Sequence, residues 1–198
     1  MANYSYTNAP SHLSHWAQHP SILSRIIRAL KLDKNLYEEV EADKSANIHS
    51  ITIILLSSIA AGIGSINITS VADIIINAIA AFAGWFLWAY ITYMIGTRLL
   101  SEPQTQSTYG EMIRTIGFAS TPGLFRIFGN IIYIGPVVYF ISEIWMLLAM
   151  IIAIKHALDY KSTGRSVLVA FLGWIVQLSF IALILYLMSL FTQPVVEP

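Results

Sequence analysis

Long apolar stretches alternate with short polar segments along most of this chain, and that alternation predicts a set of membrane-crossing helices. Crossing a bilayer as an α-helix takes about 20 mostly apolar residues. We predict spans at residues 48–66, 71–95, 112–128, 137–154 and 166–190. The pattern therefore predicts an all-α, polytopic membrane protein with one five-helix transmembrane domain over residues 48–190. A short non-cytoplasmic tail is expected at residues 191–198.

Two short amphipathic helices are predicted ahead of the first span, within residues 21–47, and a polar, histidine-containing tail precedes them at residues 1–20. A basic amphipathic helix beside a span typically lies in the interface, with its cations on anionic head groups. We therefore expect binding to the membrane surface by Arg25, Arg28, Lys31 and Lys34. Packing of the first helix on the protein's own membrane domain is the alternative, and both arrangements can hold at once.

The third predicted span differs from the others because it contains helix-breaking residues. Gly117, Pro122 and Gly123 lie inside it, and Arg126 lies near its far end. Proline removes a backbone donor and clashes with the preceding turn, so we predict that this helix kinks or thins. A carbonyl freed in lipid needs a partner, so we expect neighbouring helices to cover the segment.

Composition supports the membrane class and excludes several others. Hydrophobic residues make up 56% of the chain and charged residues 11%, against about 25% charged residues in typical soluble proteins. The formal net charge is zero, which gives no reason to expect a nucleic-acid partner. The absence of cysteine excludes disulfides, thiolate metal sites and cysteine nucleophiles. We predict no cofactor.

The distribution of lysine and arginine predicts the orientation. With five spans, all of the 11 basic residues except Arg126 lie on the side of the N-terminus. Basic loops are retained in the cytoplasm. We therefore expect a cytoplasmic N-terminus and a C-terminus outside the cytoplasm.

Two sets of polar residues are candidate sites. Glu143 is the one acidic residue well inside a span, and carboxylates at that depth are functional candidates. We predict an ion pair between Glu143 and Arg126 that ties spans three and four together, with a proton or ion site as the rival interpretation. In the tail, His12, His15 and His19 would share a helix face and form weak candidates for a metal site, although a solvated tail is the simpler interpretation.

Small residues recur at spacings that let helix backbones approach closely. They are Ser58, Ala60, Gly62 and Gly64 in the first span and Ala80 and Gly84 in the second. Packing within the bundle explains them without a substrate. We find no Gly-x-Ser-x-Gly elbow, paired intramembrane aspartates, His-Glu-x-x-His motif or phosphate-cradling glycine loop, so we do not expect an enzyme.

Three segments resemble the Ypt-interacting (Yip) family of five-span membrane proteins, and more closely its bacterial members. They are Leu32–Asp43, Ile95–Leu100 with the Tyr109–Glu111 lead-in, and Gly117–Pro122. The last is similar to the family's Gly-Tyr-x-x-x-Pro motif, with Phe118 in place of tyrosine. The Asp-Leu-x-Gly-Pro motif of eukaryotic members, which bind prenylated Rab-type GTPases, is missing before span one. The resemblance therefore implies a bacterial-type member in the inner membrane.

Three classes of function remain open. The first is a non-enzymatic scaffold or adaptor that binds the lipid bilayer and other integral membrane proteins. The second is an accessory subunit of a larger membrane complex. The third is a small transporter or channel that uses Glu143. A homo-oligomer is compatible with each class.

Overall fold

The computed structural model describes residues 20–65 and 70–191, and these residues are largely helical. The all-α prediction is confirmed for this part of the chain. The α-helices are α1 (Ile22–Leu30), α2 (Lys34–Ala42), α3 (Ala46–Gly64), α4 (Val71–Met94), α5 (Tyr109–Ala119), α6 (Gly135–Ala157) and α7 (Thr163–Phe191). A π-helical turn, Ile95–Leu99, extends α4, and a 3₁₀ helix, Thr121–Phe128, follows α5.

Within residues 20–65 and 70–191, four helices are long and apolar enough to cross a membrane. They are Ala46–Gly64, Val71–Leu99, Gly135–Ala157 and Thr163–Leu187. Each coincides with a predicted span, with ends displaced by a few residues. The remaining predicted span, 112–128, is divided between α5 and the 3₁₀ helix, so neither piece alone has spanning length.

The division of this segment follows from Pro122, the second residue of the 3₁₀ helix. Without a backbone N–H, Pro122 cannot donate to the carbonyl of Phe118, four residues earlier. The hydroxyl of Thr121 donates to that carbonyl instead, at 2.6 Å, and the hydroxyl of Ser120 donates to the carbonyl of Gly117, at 2.7 Å. Side chains of the segment itself thus donate to these carbonyls, and α3 and α6 pack against the 3₁₀ helix and cover it, as predicted.

Helix α5 and the 3₁₀ helix lie along α3 and run in the same direction. A Cβ atom at Gly117 would lie 2.5 Å from Cβ of Ser50, near the start of α3. Further along, a Cβ atom at Gly64, the last residue of α3, would lie 1.7 Å from the carbonyl oxygen of Arg126. Contacts this close require glycine. The divided segment therefore follows α3 over most of its length.

Three connections lie at one end of the bundle. The hydroxyl of Tyr160, between α6 and α7, donates to the carbonyls of Gly96 and Leu100 at 2.8 Å. Arg165 Nη1 donates to the carbonyl of Ser101 at 3.1 Å. Helix α2 packs against α5 and α6 at the same end, where His156 Nδ1 lies 3.3 Å from Glu38. Helix α2, the α4–α5 loop and the α6–α7 loop therefore share one end of the bundle.

Two clusters of buried apolar residues lie in the half of the bundle next to these loops. One apolar cluster there includes Trp88, Met112, Ile154 and Val169, and joins α4, α5, α6 and α7. Toward the opposite end α4 and α7 bury little of their surface, and Ile76 and Leu185 are 63% and 61% exposed. Lipid must cover those apolar surfaces in the membrane.

Candidate functional site

Arg126 sits where three elements converge in the membrane domain, and it is only 7% exposed. Its Nε donates to the carbonyl of Gly123 in its own 3₁₀ helix, at 3.2 Å. Nη2 donates to the backbone carbonyl and the hydroxyl of Ser57 on α3, at 3.1 and 3.0 Å. Nη1 donates to Oε1 of Glu143 on α6, at 3.2 Å. The protein therefore surrounds this cation with oxygen atoms, as a buried charge requires.

Glu143 is held much less completely than Arg126. Its side chain is 42% exposed. Within the described part of the chain, its hydrogen bonding consists of the one contact from Arg126 to Oε1. The structure thus brings the two predicted residues together, and within the described residues the second carboxylate oxygen accepts no hydrogen bond.

A cavity of about 320 Å³ lies beside this pair, between α4, α6, α7 and the 3₁₀ helix. Helices α4 and α6 meet there mainly through α7, which packs on both. Gln177 adds an amide to its wall. The wall also contains three tryptophans and two methionines: Trp85, Trp88, Trp174, Met146 and Met150. The site therefore combines an ion pair and an amide with aromatic and apolar walls.

Arg25 of α1 does not face the membrane surface, contrary to the prediction. Arg25 is 1% exposed, and its guanidinium contacts Glu39 at 2.9 Å and Asp43 at 2.5 Å. Nη1 of Arg25 also lies 3.3 Å from Nδ1 of His49, at the start of α3. The expectation that Arg25 reaches lipid head groups is therefore corrected: burial and two carboxylates hold it inside the protein.

Arg28 is also drawn toward carboxylates rather than outward. It pairs with Asp33 at 2.7 Å and with Glu39. Although burial opposes the charge, the hydrogen bonds that Arg28 donates to these carboxylates raise its pKa above the ordinary value. Lys31 and Lys34 remain exposed. Of the four residues predicted to bind the membrane surface, these two lysines present free side chains.

Helices α1 and α2 form a hairpin, and side chains of α5 and α6 add further hydrogen bonds that fix it on the bundle. Arg114 of α5 donates to the carbonyl of Val40 at 2.9 Å and to that of Glu41. Trp145, near the middle of α6, donates through Nε1 to the carbonyl of Leu30 at 3.1 Å. These contacts satisfy carbonyls at the C-terminal ends of both helices. The N-terminal segment is therefore part of the folded unit.

A second cavity, of about 570 Å³, lies at the end of the bundle that carries the hairpin. Its wall is acidic: Glu38, Glu41, Glu111 and Asp159. Burial, followed by repulsion from Asp159 and Glu111, raises the pKa of Glu41 to about 7. The described residues hold no cluster of the kind that binds a metal ion.

The predicted small residues occupy several environments. Gly62 faces the carbonyl of Ile74, where a Cβ atom would lie at 2.6 Å, so it brings α3 and α4 together. Ser58 and Ala60 are buried, and the Ser58 hydroxyl donates to the carbonyl of Ile54 at 2.7 Å. Ala80 is exposed, and it lines the intramembrane cavity together with Gly84.

Two predicted sites remain: Phe118 of the family motif and the histidines of the N-terminal tail. Phe118 is fully buried, between Gly117, which faces Ser50, and the break at Pro122. The tail histidines, His12, His15 and His19, lie outside the described residues.

Comparison with known proteins identifies the family. The model of the Yip1 domain matches residues 36–189, which is most of the chain. The chain belongs to the Yip1 domain family. No curated protein and no solved structure matches it. Together with its apolar helices, this membership establishes an integral, multi-pass membrane protein.

The Yip1 domain begins within α2 and ends within α7. It therefore includes the broken segment, the Arg126–Glu143 pair and the cavity beside it. Helix α1, with Arg25 and Arg28, precedes the matched residues. The hairpin thus joins a segment outside the Yip1 domain to its first helix.

Sequence reasoning missed the cavity and the role of Gln177 in it. Gln177 is an amide in the middle of an otherwise apolar helix, and its Nε2 lies 3.4 Å from the carbonyl of Gly84. A polar residue in such a position is itself a signal. The buried environment of Arg25 carried no comparable signal, because basic residues on an amphipathic helix are usually solvated.

Proposed function

We propose that this Yip1-domain protein is a non-catalytic membrane scaffold that binds other membrane proteins and the cytoplasmic membrane surface. The observation that carries the proposal is the fastened hairpin. Its internal charges are paired, whereas α1 leaves Leu23 and Ile27 63% and 45% exposed. Lys31 continues the same stripe at a spacing of four residues and is also exposed.

This exposed stripe of Leu23, Ile27 and Lys31 has the chemistry of an interfacial contact. Apolar side chains of such a helix enter the boundary of the acyl chains, and lysine stems extend their ammonium groups toward the head groups. Because Arg25, Arg114 and Trp145 fix the hairpin on the bundle, the stripe is presented rigidly. A rigid surface loses less entropy on binding than a mobile arm does.

The proposal includes five membrane crossings. Four helices have spanning length, and the divided segment supplies the fifth. It is supported by the path of α5 and the 3₁₀ helix along α3, from Ser50 to Gly64. Together, 11 α-helical residues at 1.5 Å and eight 3₁₀ residues at 2.0 Å rise by roughly 32 Å. That length matches the thickness of a hydrocarbon core, about 30 Å.

Five crossings place the hairpin and both basic loops in the cytoplasm and the C-terminus outside. The positive-inside distribution supports this orientation. The sequence resemblance to bacterial Yip proteins supports placement in a bacterial inner membrane. The generally non-enzymatic character of the family supports a binding role over catalysis.

Quantitative mass spectrometry of the tagged, full-length protein tests the scaffold role after extraction in mild detergent. We expect specific membrane proteins to accompany the wild type and to be lost from Leu23→Glu and Ile27→Glu variants. Ile132→Glu is the matched control, because Ile132 is 76% exposed between the 3₁₀ helix and α6. Recovery of the chain without other membrane proteins would contradict the scaffold role. A fixed stoichiometric set would favour the accessory-subunit alternative.

The transporter alternative is favoured by one observation, the exposure of Glu143 toward a cavity. Ion flux in reconstituted vesicles that disappears in Glu143→Gln would support it. The pairing with Arg126 argues for a structural carboxylate, because the pair already neutralises both charges at 3.2 Å.

A further inference from the structure

We propose that the cavity beside Arg126 and Glu143 is a binding site for a neutral lipid-soluble molecule that carries a hydroxyl group. This inference is independent of the scaffold role. It stands on the hydrogen-bonding state of the polar groups in the cavity, on their charge balance and on the walls around them.

The polar lining of the cavity offers two acceptor oxygens, and within the described residues it also holds one buried donor without a partner, Trp88 Nε1. Arg126 directs its Nε and both terminal nitrogens to protein oxygens. Glu143 receives a hydrogen bond on Oε1, and within the described residues Oε2 receives none. Gln177 uses its amide nitrogen toward Gly84, which leaves its carbonyl oxygen without a donor from the same residues. A ligand with an O–H group would satisfy these oxygens.

Charge balance selects a neutral ligand. Arg126 and Glu143 lie 3.2 Å apart and together carry no net charge. An added ammonium would leave one uncompensated positive charge at membrane depth, and an added carboxylate would face the unshared oxygen of Glu143. Either unpaired charge is costly in a low-dielectric environment. A hydroxyl donates its hydrogen bond without that cost.

The walls and the position of the cavity fit an amphiphile. Trp85, Trp88 and Trp174 provide flat apolar surface with polar edges, and Met146 and Met150 provide adaptable contacts. A volume of about 320 Å³ is near the lower end for ligand sites. It therefore accommodates a head group and the beginning of a chain. Trp174 is 60% exposed and Ala80 is exposed, so the cavity reaches the lipid-facing surface, where the rest of the chain would lie.

Tryptophan fluorescence provides the test, since three tryptophans line the site. The full-length protein in detergent is titrated with 9,10-dibromostearyl alcohol, whose bromines quench tryptophan on contact, and with the amine and the carboxylic acid of the same chain. We expect saturable quenching by the alcohol. We also expect half-saturation by the amine and the acid to need at least about fivefold more ligand, because each brings an uncompensated charge into the site.

Two variants locate the quenching. Ala80→Phe fills the cavity from α4 and should abolish the saturable component, whereas Ala83→Phe, also at an exposed position on α4 but outside the cavity wall, should retain it. Gln177→Leu should weaken alcohol binding by about fivefold through loss of one acceptor, with an unchanged melting temperature.

Three results would overturn the proposal: quenching that rises linearly for all three head groups, equal or tighter binding of the amine or the acid, or full retention of saturable quenching in Ala80→Phe.

Discussion

At the residue scale, Arg126 and Glu143 contribute unequally to their own ion pair. Arg126 is 7% exposed and donates to oxygens of the 3₁₀ helix, α3 and α6. Glu143 has a side chain that is 42% exposed and uses one oxygen. Replacing Arg126 leaves several buried acceptor oxygens without a donor. Replacing Glu143 with glutamine keeps a side-chain oxygen that can still accept a hydrogen bond from Arg126.

We therefore predict that Arg126→Met destabilises the protein by about 3–5 kcal/mol and Glu143→Gln by about 1 kcal/mol or less. Thermal unfolding in detergent measures both variants, and the double variant completes a mutant cycle. Additive effects would show that the two side chains are not coupled. Equal losses from the two single variants would contradict the inequality that the contacts imply.

At the element scale, the break in the third crossing is stabilised by its own hydroxyl groups. Pro122 leaves the carbonyl of Phe118 without its helical donor, and the buried Thr121 hydroxyl takes that place at 2.6 Å. Most hydroxyls in membrane helices merely add a second bond to a carbonyl that is already paired. Thr121 instead provides a bond that the backbone cannot form.

Thr121→Val should therefore destabilise the protein by about 1–3 kcal/mol, the cost of a buried unsatisfied carbonyl. Thr52→Val is the matched control, because the Thr52 hydroxyl donates at 2.8 Å to Ile48 within the regular helix α3. We expect a near-neutral effect there. Melting temperatures in detergent compare the two, and equal shifts would argue against a special role for Thr121.

The hairpin of α1 and α2 makes the stability of the protein depend on pH. Burial, then repulsion from Asp159 and Glu111, raises the pKa of Glu41 from 4.5 to about 7. Protonated Glu41 thus favours the folded state. Its stabilising effect is fully present below about pH 4.5 and is lost as pH rises through about 7.

We predict that, between pH 5 and 7.5, the melting temperature of the wild type falls relative to that of Glu41→Gln, which mimics the protonated acid. Asp43 should not mask the effect. Although burial opposes it, hydrogen bonds from Ser45 and Arg25 lower the pKa of Asp43 to about 2, so its contribution changes only below its ordinary value of 3.8. Identical pH profiles for the two proteins would contradict the assignment to Glu41.

At the scale of the whole molecule, the number of crossings decides which surfaces face the cytoplasm. If the divided segment crosses, the α4–α5 loop and the loop between the 3₁₀ helix and α6 lie on opposite sides. If it does not cross, both loops lie on the same side. The close path along α3 supports the first arrangement.

The chain contains no cysteine, so single cysteines can report the topology without background. We predict that Gln106→Cys and Ser162→Cys react with a membrane-impermeant maleimide only in inside-out vesicles. Tyr133→Cys, at a position that is 92% exposed, should react in right-side-out vesicles. Labelling of positions 106 and 133 from the same side would exclude the fifth crossing.

The sequence by itself determined the membrane class, the four long helices and the place of the break. The length of an apolar stretch and the missing backbone N–H of Pro122 are local properties of the sequence. They can be identified without knowing which helices pack together. The pairing of Arg126 with Glu143 was also predicted, because charges inside spans have few possible partners.

Only the tertiary structure decided how these parts are used. It buried Arg25 among Glu39, Asp43 and His49, residues 14 to 24 positions away along the chain. It also placed Gln177 near Glu143, around a cavity that neither residue predicts alone. Such sites depend on how helices separated in sequence come together in space. Hydrophobic periodicity records which residues are apolar, but it does not record which polar groups from distant helices will face one another.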